Sequence, residues 1–151
     1  MNAMNSEEIA NILSSNIVTR PFFRGVCPSD KMIFASPPYC FVANVDKSDE
    51  AGSHWTAWFI DYNGVISFFD SYGRSPRNSM FPLEFKLFAT SSRFRFNPRI
   101  LESVDGVTCG HFCIFMLYFK SLGFDLKPIY DYFSDDLEYN DILVYNFVKQ
   151  L

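Results

Sequence analysis

Cysteine is scarce and unpatterned in this chain. Its four cysteines, Cys27, Cys40, Cys109 and Cys113, form no CxxC pair, and no second cluster supplies His or Cys at zinc spacing. A structural zinc module is therefore excluded, and a disulfide framework is a poor reading for so much apolar material. Histidine is scarcer still, limited to His54 and His111. No apolar run reaches the length of a membrane span, and Met1 to Asn16 is polar and mildly acidic, unlike a secretory leader. A basic excess is also missing: 13 Lys and Arg face 17 Asp and Glu, for a net charge of −4. That balance argues against an extended nucleic-acid surface and leaves room only for a local basic patch around Arg93, Arg95 and Arg99. Internal repeats and low-complexity segments are absent as well. These absences point to an intracellular protein with reduced thiols and no metal, cofactor or membrane partner.

What the chain does have is apolar material. Its 151 residues are 48% hydrophobic, with 18 Phe and 8 Tyr, which is enough for one domain, residues 1–151, with a core built largely of rings. The chain reads outward from Thr108 to Phe119, which follows the turn-like Val104-Asp105-Gly106-Val107 and is apolar almost all round. Gly123 stands where a helix would stop. This pattern predicts a buried helix of about three turns that opens on Cys109 and Gly110. A thiol at a helix N-terminus faces unpaired N–H groups and the positive end of the dipole, which favour its thiolate form. The same N–H groups can hold an oxyanion.

Upstream, Asn5 and Glu8 stand at capping-box spacing before Ile9, Ile12 and Leu13, which predicts a helix there. Thr19 to Pro38, with its prolines and Gly25, reads as an irregular connection, and Tyr39 to Val45 as a central strand. Trp55 to Asp61 and Val65 to Asp70 form a hairpin through Tyr62-Asn63-Gly64. Its register bears on function. A two-residue turn would place His54 and Asp70 on opposite faces. A three-residue loop with Gly64 left-handed would put them on one face as diagonal neighbours. Further on, Pro82 to Phe88 suggests a short helix, Phe94 to Phe96 a strand that resumes at Arg99 to Glu102, Ile129 to Phe133 a helical turn, and Asn140 onward a final helix.

His54, Asp70 and Cys109 each have an ordinary structural use: a loop residue, a turn former, a buried thiol. His111 could equally fill the edge of the core, and Cys113, one turn inside the helix, reads as a small buried hydrophobe. Together, however, they supply a nucleophile, an imidazole base and an orienting carboxylate, each at the end of an element. The runs Gly52-Ser53-His54-Trp55-Thr56-Ala57-Trp58, Phe68-Phe69-Asp70-Ser71-Tyr72-Gly73 and Cys109-Gly110-His111-Phe112-Cys113 resemble those of the adenovirus-type (adenain-like) cysteine proteases. These lie within the wider superfamily of ubiquitin-like-protein proteases, and the nearest resemblance is to enzymes of large DNA transposons and related viruses.

The resemblance implies an α+β fold of the papain-like, adenain-like type, a central mixed sheet with packed helices. It implies His54 as general base, Asp70 as orienting acid and Cys109 as nucleophile, with Trp55 beside the histidine and the Cys109 and Gly110 N–H groups facing the oxyanion. The implied reaction is peptide hydrolysis at Gly-containing sites of viral or transposon structural precursors, in a host nucleus or cytoplasm or in a virion. The chain departs from the family in three ways. Glu102 stands where the family has a glutamine that donates to the oxyanion, so it would serve only when protonated by burial, and Glu102→Gln is expected to raise the rate. Phe94 to Leu101 offers no cysteine for a disulfide-linked peptide activator, and the acidic balance does not favour the family's DNA cofactor. Two other functions stay open. One is a deubiquitinase or ubiquitin-like-protein isopeptidase, the other a binding module weakened at Glu102. Asp70, at a strand end, is expected to tolerate Asp70→Ala with little loss of folding.

Overall fold

The computed structural model describes residues 1–90 and 92–151. The first helix, α1 (Ser6–Ser15), begins as its cap residues dictate. The Asn5 side chain accepts from the Glu8 N–H at 2.8 Å, and the Glu8 carboxylate accepts from the Asn5 N–H at 3.0 Å. Ile9 and Leu13, one turn apart, carry its buried face.

Five strands follow in sheet order β1 (Phe23–Cys27), β2 (Tyr39–Asn44), β3 (Trp55–Ile60), β4 (Ile66–Phe69) and β5 (Phe94–Phe96). The β1–β2 and β4–β5 pairs are parallel, while β2–β3 and β3–β4 are antiparallel, so the sheet is mixed. Strand β2 is buried along its whole length, as its apolar run implies. Side chains alternate across it: Cys40 and Val42 join a core with α1 and the central helix, while Tyr39, Phe41 and Ala43 join a second core on the far face. The second core is mostly rings, with Trp58 meeting Phe68, Phe85 and Phe88 edge-on, and α2 (Leu83–Thr90) closes it.

The central helix, α3 (Cys109–Ser121), lies on the first face, with α4 (Leu126–Asp131) and α5 (Leu137–Lys149) packed beside it. Gly123 ends it with φ +99°, and residues Gly110 to Leu117 are all buried, so the helix is apolar all round because it is covered all round.

Four expectations need correction. Part of the 19–38 connection is strand β1, whose register shifts between Phe23 and Val26, where Gly25 has φ +143°. Arg99 to Glu102 does not resume a strand, because the Leu101 and Glu102 N–H groups both donate to the Ser71 carbonyl, at 2.8 and 3.1 Å. The helical turn near Ile129 begins earlier, at Leu126, with Pro128 in its first turn, where no N–H is needed. The last helix also begins earlier, because Asp136 caps it by accepting from the Tyr139 N–H.

The hairpin takes the three-residue loop. Asp61 donates to the Val65 carbonyl at 3.0 Å, and Gly64 sits at φ +80°. At the other end of β4, Asp70 to Gly73 forms a turn, with the Gly73 N–H on the Asp70 carbonyl at 2.8 Å. Gly73 has φ +75°, and a Cβ there would stand 2.6 Å from the Arg99 backbone, whereas a Cβ at Gly64 would meet nothing. Gly73→Ala is therefore expected to lower the unfolding free energy by roughly 2–4 kcal/mol, against about 1 kcal/mol for Gly64→Ala. Urea midpoints compare the two, and equal midpoints would mean that the Arg99 segment yields freely.

Candidate active site

Strands β3 and β4 deliver His54 and Asp70 to one end of the sheet. With Ala57 opposite Phe69, the register brings the two residues to the same face just beyond the paired strands. His54 Nε2 and Asp70 Oδ1 lie 2.6 Å apart. Asp70 holds Nε2, and His54 and Cys109 line the same cavity, where the Cys109 side chain adds to the rise in the imidazole's pKa. The three residues expected to cooperate, His54, Asp70 and Cys109, are therefore brought together.

Asp70 is wholly buried. Its Oδ2 accepts from Arg74 Nε at 2.7 Å and from the Arg74 N–H at 3.0 Å, and Arg74 Nη2 reaches Oδ1 at 3.3 Å. Asn97 holds the backbone of the same residue, accepting from the Asp70 N–H at 3.0 Å and donating to its carbonyl at 2.6 Å. The expectation that Asp70→Ala would hardly disturb folding is overturned by this geometry, because the change would leave a partly buried guanidinium without its carboxylate. Arg74 and Asn97 were missed in the sequence. The Asp70–Arg74 spacing was the available signal for one, while Asn97 stood out only as a strand breaker before Pro98.

The ring stacked on His54 is that of Tyr72, with centroids 5.3 Å apart and planes at 27°. Trp55, expected beside the histidine, sends its indole N–H to the Met4 carbonyl at 3.0 Å. Its Cδ1 would lie 3.4 Å from a Cβ on Gly110, and Ile9 and Met4 crowd the same point at 3.1 and 3.2 Å. Gly110 thus lets α1 and Trp55 approach the start of α3 closely.

Cys109 is partly exposed, whereas Cys27, Cys40 and Cys113 are buried free thiols. Burial pushes Cys27 and Cys40 up to about 12 and Cys113 well above its ordinary value, so those three are inert as nucleophiles. His111 is buried against Tyr145, with ring centroids 5.4 Å apart, and burial lowers its pKa, so it stays neutral in the core.

The start of α3 is uncapped. Thr108 holds the cap position, yet its hydroxyl donates to Asp141 Oδ1 at 2.9 Å and makes no cap bond to the helix. The first backbone bond of the helix runs from the Phe112 N–H to the Thr108 carbonyl, which leaves the N–H groups of Cys109 and Gly110 without an intrahelical partner.

Glu102 lines the cleft with His54 and Cys109 but is 1% exposed. Its Oε1 accepts from the Ser71 hydroxyl at 2.6 Å and its Oε2 from the Thr108 N–H at 3.2 Å. Its pKa is raised, because burial outweighs those two bonds and the charge on His54. Both oxygens are occupied as acceptors, so Glu102 anchors the loop before Cys109.

Burial alone would lower the His54 pKa, but the bonds to Asp70 and Cys109 and their charges raise it to about 9. Burial acts on Asp70 in the opposite sense to its bonds with His54 and Arg74, which hold it down at about 2. At neutral pH these shifts favour imidazolium and carboxylate for the pair. Cavities of about 540 and 400 Å³ meet at Cys109. A groove of about 690 Å³ between α3, α4 and α5 is lined by Phe115, Phe119, Tyr132 and Phe147 and holds none of these groups.

No protein-family model and no curated protein matches the chain. Solved structures do. The ASFV pS273R protease superposes with a TM-score of 0.59 at 17% identity, over 95% of this chain and 67% of its own. The central domain of the uncharacterized Lpg1148 protein of Legionella pneumophila gives 0.54 at 13% identity, over 99% and 96%. The shared feature is the fold, which in this chain is a five-stranded mixed sheet with packed helices.

Stability should follow the imidazolium. A folded-state pKa raised from 6.5 to about 9 contributes fully below 6.5 and is lost as pH climbs to 9. Asp70 contributes above 3.8 and is lost as pH falls towards 2. Urea unfolding of the wild type is expected to weaken by roughly 2–3 kcal/mol more between pH 6.5 and 9 than that of His54→Ala. Parallel curves for the two proteins would show that the imidazole is not held as a cation.

Proposed function

We propose that this chain is a thiol endopeptidase with Cys109 as nucleophile. The observation that carries the reading is a partly exposed cysteine at an uncapped helix start, in one cleft with an imidazole whose Nε2 is fixed by a buried carboxylate. The Cys109 sulfur adds to the peptide carbonyl carbon, and the oxygen takes up the negative charge opposite the Cys109 and Gly110 N–H groups. His54 then gives its proton to the departing amine as the C–N bond breaks, leaving a thioester. Water loses a proton to His54 as it attacks the thioester, and the sulfur leaves as thiolate. Asp70 keeps the ring oriented throughout and favours its charged form.

Fold likeness to a viral protease, together with the motifs around His54, Asp70 and Cys109, supports a role in maturing viral or transposon structural precursors at Gly-containing sites. An isopeptidase acting on ubiquitin-like tails would use the same cleft. Processing of Gly-x-Gly capsid-type peptides against ubiquitin-like fusions distinguishes the two.

A glycine-terminated peptide aldehyde or vinyl probe is expected to label the protein at neutral pH. The label should vanish in Cys109→Ala and persist in Cys113→Ala. Asp70→Asn, which keeps the shape of the side chain, should cut kcat by about 10²–10⁴. Mass spectrometry that finds no adduct on Cys109, or finds it on another thiol, would overturn the assignment.

A further inference from the structure

Two cations share one buried carboxylate in this site. Asp70 Oδ1 accepts from His54 Nε2 at 2.6 Å, and the same oxygen accepts from Arg74 Nη2 and from the Tyr72 N–H, both at 3.3 Å. Among the described residues, Oδ2 is bonded by Arg74 alone, through Nε at 2.7 Å and the backbone N–H at 3.0 Å. The planar fork of the guanidinium thus spans both oxygens and fixes the plane of the carboxylate, with Oδ1 on the imidazole. The guanidinium in turn lies over the Phe81 ring at 4.6 Å and the Tyr72 ring at 5.6 Å, and Arg74 lines the cavity of about 400 Å³ together with His54 and Cys109.

That sharing bears on the step in which the imidazole must be neutral. His54 gives a proton to the amine while the thioester forms. It must then take one from water as the water oxygen bonds to the thioester carbon and the sulfur leaves. An imidazole that holds its proton too firmly serves the first step and stalls the second. The Cys109 side chain adds to the proton affinity of His54, and its negative charge is gone once the sulfur is acylated. Asp70 then holds the proton on the ring against burial, which disfavours the cation. How firmly it does so depends on how much of its charge Arg74 takes up. Three other titratable groups act on the pair: Glu102 through its charge on His54, Tyr72 by stacking on the imidazole, and the buried Cys113 thiol, which feels the charge of Asp70. Among the described residues, only His54 and Arg74 put side-chain bonds on the Asp70 carboxylate.

Resting on the protease reading above, we propose that Arg74 is a positioning residue for thioester hydrolysis. By spanning both oxygens of Asp70 and sharing Oδ1 with His54, it limits the hold of the carboxylate on the imidazole proton and leaves the ring able to act as a base towards water. Arg74 acts through Asp70 and takes no part in the bond changes. Thioester formation uses the imidazolium and does not need this help.

The test uses the full chain and a peptide ester ending in glycine. Rapid quenching and intact-mass measurement follow the formation and the decay of the Cys109 thioester as separate rates over a range of pH. In Arg74→Gln the acid limb of thioester decay is expected to move up by about one pH unit, a slowing of about tenfold along that limb, while thioester formation stays within about threefold of the wild type. Arg74→Lys keeps a charge for Asp70 but has no planar fork to span both oxygens, so it should fold as the wild type does and move the limb about half as far. It carries the test alone if Arg74→Gln does not fold. A limb at the wild-type pH in either folded variant overturns the proposal. So does an equal loss in formation and decay, which a merely structural role would give. A wild-type protein that forms no thioester on Cys109 overturns the protease reading itself, so the two failures are distinguishable.

Discussion

Burying the Asp70 carboxylate completely is the constraint on which the site depends. An ionised carboxyl withdrawn from water costs several kcal/mol unless charge and hydrogen bonds replace its hydration. Here the replacement comes from three directions: His54 from the preceding strand end, Arg74 from the following turn, and Asn97, which fixes the backbone that carries the group. Each arrives only if the chain around it is right. The three-residue hairpin loop sets the face that His54 occupies. Gly73 allows the turn that folds Arg74 back, and the end of β5 places Asn97. The charge is therefore a reason for the local geometry, and the geometry in turn keeps the imidazole protonated.

Much of this was legible in the residues. The link between a bulged loop at Gly64 and a shared face for His54 and Asp70 follows from the period of two in a strand, and the hairpin adopts that register. The capping box at Asn5 and the stop at Gly123 are local codes that tertiary context left alone. Strand β1 was illegible because parallel pairing leaves no turn signal, and its run is broken by Gly25 and flanked by Pro21 and Pro28. The stretch 99–102 looked like a strand, but its backbone bends at Arg99 and Glu102, and the Leu101 and Glu102 N–H groups go to one carbonyl of the Asp70 turn, a long-range choice with no trace in spacing.

The site was half legible for the same reason. The residues proposed to do chemistry announce themselves by type and place: a thiol at a helix start, a histidine at a strand mouth, an acid at a strand end. Those that hold them in place are common residues in common settings. Tyr72 reads as turn material until its ring is found on His54, and Arg74 as a loop cation until its guanidinium is found on Asp70. Glu102 holds a position its spacing does not announce: the hydroxyl and amide it accepts from make it a tether for the 103–108 loop.

That tether explains how α3 can begin without a cap. A Thr at the cap position ordinarily contributes about 1 kcal/mol by bonding to the first-turn amides. In this chain the Thr108 hydroxyl goes to Asp141, which also accepts from the Ser103 hydroxyl at 2.5 Å, while the Thr108 N–H goes to Glu102. The loop is thus fastened at both ends by carboxylates from outside the helix, one just before the loop and one on α5. Its conformation no longer relies on the capping bond, so the amides of Cys109 and Gly110 can stay free without the helix start fraying. Fastening the loop from behind and leaving its front unbonded is what a helix N-terminus requires if it is to receive an anion from outside the protein.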